Sequence, residues 1–369
     1  MKTKKIILSG GGTGGHIYPA VAVAEELQRR YGDAVELLFV GAQGRMEMEK
    51  VPALGYRIEG LPIAGLQRRL DWHNLQVPFK LMKSISKAKS VIKGFGADIV
   101  VGFGGYASAP VLWAAQHNGV PTVIQEQNSY AGVTNKILGK RAKKICVAYD
   151  NMHRFFPAEN IVFTGNPLRG NFAEARNCKA EALEYFGFNA SLPVLLVVGG
   201  SLGTRTLNEM MKSWILSLEG REPEVQVIWQ TGKYYEKEMR QFLMDHPTPH
   251  IWQGAFLEKM NFAYGASDLV LSRSGACTIS ELCEVGVPTI FVPSPNVSED
   301  HQTKNAQALV DKGAALMVRD VEAVAKGMEV ATKTLADKAL LSSLKTNITK
   351  LATTDAAAKI VDAIESVIS

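Results

Sequence analysis

Short apolar runs rich in β-forming residues alternate with amphipathic stretches along most of this chain, and no other feature restricts its fold so strongly. Segments with helical periodicity, such as residues 20–30 and 107–117, separate most of the runs. Strands that are buried on both faces and joined by helices form parallel sheets. The sequence therefore predicts an α/β protein. In the first half of the chain, strands are predicted at residues 6–8, 35–40, 99–101, 120–124 and 145–147.

The same pattern starts again near the middle of the chain. A buried strand is predicted at residues 194–198, followed by a glycine-rich turn at residues 199–203 and a helix from Thr206. Later strands are predicted at residues 225–229, 269–271 and 289–292.

Two such openings in a chain of 369 residues predict two similar α/β domains, at residues 1–165 and 166–349. Two glycines and a proline within residues 164–170 predict a hinge between them. The residues after Thr353 have helical spacing and predict an amphipathic helix that packs on one face of a domain.

Charge and composition exclude several classes of function. The chain has 41 Lys and Arg against 36 Asp and Glu, an excess too small for a dedicated nucleic-acid binder. No stretch approaches the roughly 18–20 apolar residues of a transmembrane helix, and the apolar run after Lys5 is too short for an export signal. The four cysteines show no Cys-x-x-Cys pair or zinc spacing, so we expect free, buried thiols in a reducing cytoplasm.

Five glycines stand among the seven residues from Gly10 to His16, between the first strand and the first helix. Glycines allow main-chain N–H groups to approach a ligand closely, and a helix N-terminus nearby favours an anion or an oxyanion. Gly10, Gly12 and Gly15 formally match the dinucleotide fingerprint. However, the second predicted strand ends without the acidic residue that binds ribose in NAD enzymes. A tight turn without any ligand is the other alternative.

A second turn-to-helix segment, at residues 272–281, follows the strand predicted at residues 269–271. Its N–H groups and small hydroxyls suit a diphosphate. Glu281 lies one to two turns into the helix, where a carboxylate can accept hydrogen bonds from a ribose diol. If this segment is considered without the first half of the chain, a capped helix with a solvated glutamate explains it equally well.

Basic and apolar residues are interleaved at residues 66–93. The segment contains seven Lys or Arg residues and one acidic residue, so the rest of the chain is nearly neutral. Such a segment suits the surface of an anionic lipid leaflet, where each Lys or Arg contributes about 1 kcal/mol. A solvated helix face above a buried apolar stripe is the alternative.

Six motifs follow one another along the chain: Gly-Gly-Thr-Gly-Gly-His from Gly11, then residues 102–106, 126–128, 165–167, 199–201 and 274–281. In this combination they resemble the MurG family, the bacterial peptidoglycan glycosyltransferases of family 28. The resemblance spans about residues 5–310. It implies the GT-B fold, in which two Rossmann-like domains with parallel sheets face each other across a cleft. It also implies that a C-terminal helix at about residues 350–369 packs back on the first domain.

The activity implied by the resemblance is the inverting transfer of N-acetylglucosamine (GlcNAc) from UDP-GlcNAc to the C4 hydroxyl of MurNAc in lipid I. The product would be lipid II for peptidoglycan synthesis, and no metal or other cofactor would be needed at the donor site. The lack of an Asp-x-Asp triplet agrees with this. Other GT-B transferases acting on a lipid or small-molecule acceptor remain an alternative, as does a UDP-GlcNAc epimerase. A non-catalytic scaffold protein is disfavoured by His16 and Arg169.

The resemblance implies that UDP-GlcNAc lies mainly against the C-terminal domain. Ser201 and Arg169 would contact the diphosphate, Glu281 the ribose, and the backbone of Leu257, near Phe256, the uracil. Gln302 would read the GlcNAc hydroxyls, and the role of His301 before it is left open. The remaining donor contacts would come from Thr13, Gly14, Gly15, Asn128, Ala276, Cys277, Thr278, Ile279 and Ser280.

On the acceptor side, the resemblance implies a loop made by Gly104, Gly105 and Tyr106. Inverting transfer needs a base for the acceptor hydroxyl, and His16 is the candidate because imidazole titrates near neutral pH. A merely orienting role for His16 is the alternative, with Glu126 or Asn128 as further acceptor-side participants.

A lipid-anchored acceptor also requires the enzyme to reach the membrane. The resemblance therefore favours an anionic-membrane patch and a peripheral location at the cytoplasmic face of the plasma (inner) membrane. It leaves other cell-wall synthesis proteins as candidate partners and implies no nucleic acid. The patch is predicted to contain Trp72, Leu75, Phe79, Lys80, Lys83 and Lys87.

Overall fold

The computed structural model describes residues 3–63, 77–170 and 172–368, and it divides the chain into two compact units. Unit 1 comprises Met1–Arg169 together with Thr353–Ser369, and unit 2 comprises Gly170–Ala352. The sequence predicted domain boundaries after residue 165 and near residue 350. Both units are α/β, as the alternation of strands and helices predicted.

Unit 1 is built on a seven-stranded sheet in which every neighbouring pair of strands is parallel, in the order β3-β2-β1-β4-β5-β6-β7. Its strands are β1 (Lys4–Ser9), β2 (Val35–Ala42), β3 (Ile58–Leu61), β4 (Ile99–Gly102), β5 (Thr122–Glu126), β6 (Lys144–Val147) and β7 (Ile161–Phe163). Its first helices are α1 (Gly14–Tyr31), α2 (Glu47–Ala53), α3 (Val77–Phe95), α4 (Ser108–His117) and α5 (Val133–Gly139).

Alternate residues of the central strands of unit 1 supply two apolar cores. Ile6 and Leu8 face a core that includes α1, whereas Ile7 faces a second core that includes α3, α4 and α5. This follows from the two-residue repeat of a strand, which sends successive side chains to opposite faces of the sheet.

Unit 2 repeats the design on six parallel strands in the order β10-β9-β8-β11-β12-β13. Its strands are β8 (Val194–Val198), β9 (Gln226–Gln230), β10 (Ile251–Gly254), β11 (Leu269–Ser272), β12 (Thr289–Phe291) and β13 (Leu316–Met317). Its helices are α6 (Lys179–Phe186), α7 (Arg205–Ser217), α8 (Glu236–Asp245), α9 (Met260–Ala266), α10 (Ala276–Val285), α11 (His301–Val310), α12 (Asp320–Ala336) and α13 (Lys338–Thr349).

The last helix, α14 (Ala356–Ile368), returns to unit 1 and packs beside α1. Ile360 and Ile364 are fully buried in the same core as Ile6 and Leu8. The Arg30 side chain ties the two helices together through Asp362 at 2.6 Å and Glu365 at 3.0 Å. The prediction of a terminal amphipathic helix on a domain face is confirmed.

Several predicted element bounds were wrong in detail. α1 begins at Gly14 and not at residue 20, because the glycine run itself opens the helix. β5 begins at Thr122 and not at residue 120, after Pro121, which has no N–H to give to a sheet. Within the segment predicted as a hinge, Thr164 and Asn166 are buried and the boundary between the units follows Arg169; a hinge motion stays a prediction.

All four cysteines are free thiols, but only Cys146 and Cys283 are fully buried, while Cys178 and Cys277 are half-buried. Burial raises the pKa of Cys146 to about 12. Within the described ranges, no helix has both the length and the apolar character needed to cross a bilayer.

Candidate functional site

In unit 1 the predicted acceptor-side residues lie at the carboxyl ends of three neighbouring strands. The glycine turn follows β1, the loop containing Gly104 and Gly105 follows β4, and Glu126 ends β5. The carboxyl edge of an open parallel sheet is where ligands bind in such folds. The structure therefore brings these three predicted motifs to one edge.

The glycine turn holds the His16 side chain in a defined place. Thr13 precedes α1, and its carbonyl accepts the N–H groups of His16 and Ile17. The ring atom Nδ1 of His16 lies 3.0 Å from the carbonyl oxygen of Gly11 and 3.2 Å from Oγ1 of Thr13. The other edge of the ring faces Gly104, where an added Cβ would come within 3.1 Å of Nε2.

Gly104 and Gly105 must be glycines for this packing. Both have positive φ angles, of 94° and 82°. A Cβ at Gly105 would lie 2.3 Å from the carbonyl oxygen of Gly11. The two loops therefore interlock through backbone, while the neighbouring Tyr106 side chain is half exposed.

Glu47, which the sequence analysis did not predict, lies beneath the glycine turn. Its buried carboxylate accepts the N–H of Gly12 at 3.0 Å and the N–H of Ala42 at 2.9 Å. The expectation of an anion site in this turn is therefore corrected at Gly12, because a carboxylate of the protein already takes that N–H. The only sequence signal was an acidic residue in the first turn of the short helix α2.

Glu126 is buried and organises the loop that follows β5. Its two carboxylate oxygens accept hydrogen bonds from the backbone of Asn128 and Gly132 and from the side chains of Asn128 and Asn135, at 2.8–3.3 Å. Burial raises the pKa of Glu126, and these donors oppose that effect. The structure places this residue below the loop, where it positions Asn128; a direct role in the reaction remains a prediction.

The Gly165-Asn166-Pro167 motif is attached to the end of β5. The Asn166 side chain accepts from Gln125 at 2.8 Å and donates to the carbonyl of Gln127 at 3.1 Å. Arg169, at the end of this segment, is exposed and pairs with Glu25 at 3.1 Å. A role for Arg169 at a diphosphate requires that it exchange this partner for the ligand.

In unit 2 the predicted donor-side residues also gather at the carboxyl edge of the sheet. The turn at residues 199–203, which contains Ser201, follows β8 and packs against residues 231–232. Gln230, which the sequence analysis missed, joins these parts: its side chain donates to the carbonyls of Gly200 at 2.8 Å and of Ala255 at 2.9 Å. The sequence signal that could have identified Gln230 is its position as a polar residue at the end of a buried strand.

Residues 255–257 are held beside this turn. Leu257 is buried, whereas the Phe256 side chain is 62 % exposed. Because the Leu257 side chain is buried, the resemblance's assignment of its backbone, and not its side chain, to the uracil is consistent with the structure. The exposed ring of Phe256 is available for stacking.

α10 begins at Ala276 directly after the strand β11 and the turn at Gly275. The first turn of an α-helix presents N–H groups without intrahelical acceptors and so favours an anion. Ile279 lies beyond that turn: its N–H donates to Gly275, and its side chain is buried. The Ser280 hydroxyl donates to the carbonyl of Ala276 at 3.1 Å. The geometry thus favours Ala276, Cys277 and Thr278 over Ile279 and Ser280 as diphosphate contacts.

Glu281 is held by a fully buried tyrosine that the sequence analysis also missed. The Tyr264 hydroxyl donates to Oε2 of Glu281 at 2.8 Å. Burial raises the pKa of Glu281 to about 7, an effect that Glu284 adds to and that the Tyr264 hydrogen bond opposes.

Gln302 is the second residue of α11 and lies close to the turn before α10. Its side-chain oxygen accepts the N–H of Ser294 at 2.8 Å, and its carbonyl accepts the Ser274 hydroxyl at 2.9 Å. With the oxygen engaged, the amide nitrogen is the atom suited to meet a sugar hydroxyl. His301 is half-buried at the start of the same helix.

The predicted membrane patch is described only from α3 onward, since Trp72 and Leu75 lie outside the described residues. On α3, Phe79 and Met82 are about 70 % exposed, and Lys83 is exposed beside them. Lys80 is half-buried. Lys87 is half-buried, donates to the carbonyl of Gly60 at 2.7 Å and lies 3.7 Å from Glu59, and its place in the patch stays a prediction.

Two family models match this chain. The glycosyltransferase family 28 N-terminal domain matches residues 6–147, and the glycosyltransferase family 28 C-terminal domain matches residues 194–364. Among the described residues, no group of three or more His, Cys, Asp or Glu side chains is arranged to hold a metal ion.

Curated relatives match over nearly the full chain. A protein of Parabacteroides distasonis is 50 % identical over 100 % of this chain and 99 % of its own length. A protein of Bacteroides thetaiotaomicron is 52 % identical over 96 % of this chain and 95 % of its own length. Both are named UDP-N-acetylglucosamine--N-acetylmuramyl-(pentapeptide) pyrophosphoryl-undecaprenol N-acetylglucosamine transferase.

Solved structures give the same picture of the fold. The crystal structure of Acinetobacter baumannii MurG matches with a TM-score of 0.79 at 31 % identity, covering 98 % of this chain and 99 % of that one. A UDP-GlcNAc 2-epimerase from Neisseria meningitidis matches with a TM-score of 0.68 at 15 % identity, covering 98 % and 100 %. At that identity the second likeness shows a common fold and nothing more.

Proposed function

The chain belongs to glycosyltransferase family 28, and we propose that it transfers GlcNAc from UDP-GlcNAc to the C4 hydroxyl of MurNAc in lipid I, giving lipid II. The observation that carries the proposal is the identity of about 50 %, over nearly the full length of both chains, with enzymes named for this transfer. The motif-bearing turns of both units lie at carboxyl sheet edges, which is consistent with it.

The donor-binding part of the proposal rests on unit 2. Glu281 would accept the ribose hydroxyls, and the first turn of α10 with Ser201 would meet the diphosphate. Gln302 would donate to the sugar, and Arg169 of unit 1 would add a positive charge once it leaves Glu25. These fixed dipoles stabilise the negative charge that develops on the leaving UDP without reorganising during the reaction.

The acceptor-side part rests on His16. We propose that its imidazole takes the proton of the MurNAc C4 hydroxyl while that oxygen forms a bond to C1 of GlcNAc. The bond between C1 and the diphosphate oxygen breaks at the same time, and its electron pair leaves with UDP, so C1 inverts. Gly104 and Gly105 pack against the glycine turn and keep the loop of Tyr106 beside the ring.

We propose that no metal takes part at the donor site. The support is chemical: N–H groups at the start of α10 and the guanidinium of Arg169 can offset the charge of a diphosphate. A chelator is accordingly expected to leave the transfer rate unchanged, and a loss restored by a divalent cation would refute this part.

We also propose that unit 1 binds the cytoplasmic face of the inner membrane through α3. Phe79 and Met82 are large apolar side chains exposed beside Lys83. An amphipathic helix with lysines at its edge suits an anionic leaflet, where lipid I is anchored. Other cell-wall synthesis proteins remain candidate partners at this surface.

The decisive experiment incubates the purified protein with labelled UDP-GlcNAc and a lipid I analogue, with and without EDTA. The expected product is a β-1,4-linked disaccharide on the lipid, which mass spectrometry and a linkage-specific glycosidase identify. Conversion of UDP-GlcNAc to UDP-ManNAc, or transfer only to acceptors that lack MurNAc, would overturn the proposal.

A further inference from the structure

One peptide group in the glycine turn is hydrogen-bonded on both of its sides. The peptide between Gly11 and Gly12 donates its N–H to Oε2 of Glu47 at 3.0 Å. The carbonyl of the same peptide lies 3.0 Å from Nδ1 of His16. A buried carboxylate and the imidazole are thus joined through a single planar, conjugated group.

We propose that Glu47 is a positioning residue for His16, acting through the Gly11–Gly12 peptide to fix the ring as its Nδ1–H tautomer and to stabilise the imidazolium. The inference rests on the proposed role of His16 as the base. In many histidine-dependent enzymes, a carboxylate that is hydrogen-bonded directly to the imidazole performs this task. Here the carboxylate of Glu47 performs it through the intervening peptide group.

The hydrogen-bond chemistry fixes the direction of the relay. A carbonyl oxygen only accepts, so the contact with Gly11 requires the proton on Nδ1. In the neutral ring the lone pair is then on Nε2, the atom that a base needs and the one at the Gly104 side. A carboxylate that accepts the N–H polarises the peptide and makes its carbonyl a stronger acceptor.

The space that Glu47 occupies is formed by glycines. A Cβ at Gly11 would lie 2.1 Å from Oε1 of Glu47, and a Cβ at Gly41 would lie 2.5 Å from its Cγ. The N–H of Ala42 bonds the second carboxylate oxygen at 2.9 Å, so the group is held from two sides. Gly11 and Gly41 are therefore needed to make room for the Glu47 side chain, and not only to let a ligand approach the backbone.

Two other polar groups at this edge make defined contacts. Thr13 contacts Nδ1 from the same turn at 3.2 Å. Glu126, at the end of β5, directs both of its oxygens to Asn128, Gly132 and Asn135. Among the described residues, the carboxylate of Glu47 is joined to the ring by a defined hydrogen-bond path through one peptide group.

The first test is a measurement on the unaltered protein. In the full chain labelled with ¹⁵N-histidine, long-range ¹H–¹⁵N spectra report which ring nitrogen carries the proton, and loss of one signal in His16→Ala identifies the residue. We expect the Nδ1–H tautomer for His16. The Nε2–H tautomer would overturn the proposal whatever the activity of the enzyme.

The second test compares Glu47→Gln, which keeps the size of the side chain and removes its charge, with Glu49→Gln on the exposed side of the same helix. We expect the titration midpoint of His16 to move to lower pH in Glu47→Gln only, because the imidazolium loses its counter-charge. Equal midpoints in the two variants would refute the relay. If Glu47→Gln does not fold, Gly11→Ala displaces the same carboxylate and replaces it in this comparison.

Kinetics supply the third readout. For Glu47→Gln we expect kcat to fall about 10- to 100-fold with KM for UDP-GlcNAc within about twofold, and the acidic limb of the kcat profile to move to lower pH. A proportional loss in kcat with an unmoved limb would indicate a structural role only and would count against the proposal. If His16→Ala retains full turnover, the base assignment fails, while the spectra still decide the pairing of Glu47 with His16.

Discussion

At the scale of single residues, Glu281 shows how burial sets the chemistry of one carboxyl group. Its pKa is raised to about 7 by burial, while the Tyr264 hydroxyl stabilises the ionised form. Because the folded pKa lies above the ordinary value, this group favours the folded state below about pH 4.5, and that contribution is lost as the pH rises through about 7. A ligand that donates hydrogen bonds to the carboxylate reverses this loss.

Binding of UDP-GlcNAc is therefore expected to tighten by about tenfold between pH 6 and 8, as Glu281 ionises. UDP-GlcNAc suits the test because its diphosphate, esterified at both ends, does not titrate in this range. Isothermal calorimetry measures the affinity, and Glu281→Gln should abolish the pH dependence. Tyr264→Phe should move the dependence to higher pH, and Tyr234→Phe, whose ring is 74 % exposed, serves as the matched control. A pH-independent affinity in the wild-type protein would contradict the assignment of Glu281 to the ribose.

His16→Ala is expected to lower kcat by about 10²–10⁴-fold, the usual contribution of a general base. The donor residues of unit 2 are untouched, so the affinity for UDP-GlcNAc should stay within about twofold. Single-turnover rates and calorimetry on the same preparation separate the two quantities. Equal losses in rate and affinity would point to a binding role for His16.

His16 and Glu281 were predicted because each stands in a local motif, and Gln302 was predicted from the resemblance to the family. Glu47, Tyr264 and Gln230 could not be found in this way. Each is joined to the site by contacts between residues that are distant along the chain, such as the 35 positions between Gly12 and Glu47. From the sequence alone, Glu47 cannot be distinguished from the acidic residues that are common in the first turn of any helix.

At the scale of elements, α14 completes the core of unit 1. Its buried residues pack against α1 in the same core as β1, and the ion pairs of Arg30 hold it at the edge of that core. The sequence predicted this helix from its periodicity, which depends only on local spacing. It missed where α1 starts, because five glycines read as a turn while the chain uses the last two as the first helical residues.

Ile364→Ala is expected to lower the free energy of unfolding of unit 1 by about 2–5 kcal/mol, since the side chain is fully buried. Lys359→Ala, on the exposed side of α14, should change it by less than about 0.5 kcal/mol. Hydrogen exchange read by mass spectrometry at the amides of β1 and β2 reports on unit 1 separately from unit 2. Unchanged exchange in Ile364→Ala would show that the helix is not part of the cooperative unit.

At the scale of the whole molecule, positive charge is concentrated in one segment while the remainder is nearly neutral. The sequence shows where this charge lies along the chain, but it does not show which lysine side chains are exposed to solvent. Lys83 and Lys89 are both exposed, with the Lys89 ammonium over the Trp113 ring, whereas Lys87 is half-buried and donates to the backbone carbonyl of Gly60. In the described part of the segment, the large exposed apolar side chains Phe79 and Met82 lie near the start of α3, beside Lys83.

Lys83→Glu is expected to weaken binding to vesicles containing anionic lipid by about 30-fold, since reversal of one charge near such a surface costs about 2 kcal/mol. Phe79→Ser should weaken binding on neutral vesicles as well, because it removes exposed apolar area. Lys237→Glu makes the same charge change on an exposed position of unit 2 and is the control. Co-sedimentation measures the partition, and equal binding by Lys83→Glu and Lys237→Glu would refute the patch.

The return of α14 to unit 1 has a consequence for biosynthesis. Unit 2 lies wholly within residues 170–352, so the whole of it leaves the ribosome before α14 does. Unit 1, although its sheet is translated first, keeps the apolar groove beside α1 uncovered until residues 356–368 emerge. The second-encoded unit can therefore reach its native state first, and the growing chain must protect an exposed apolar surface over the synthesis of nearly two hundred residues.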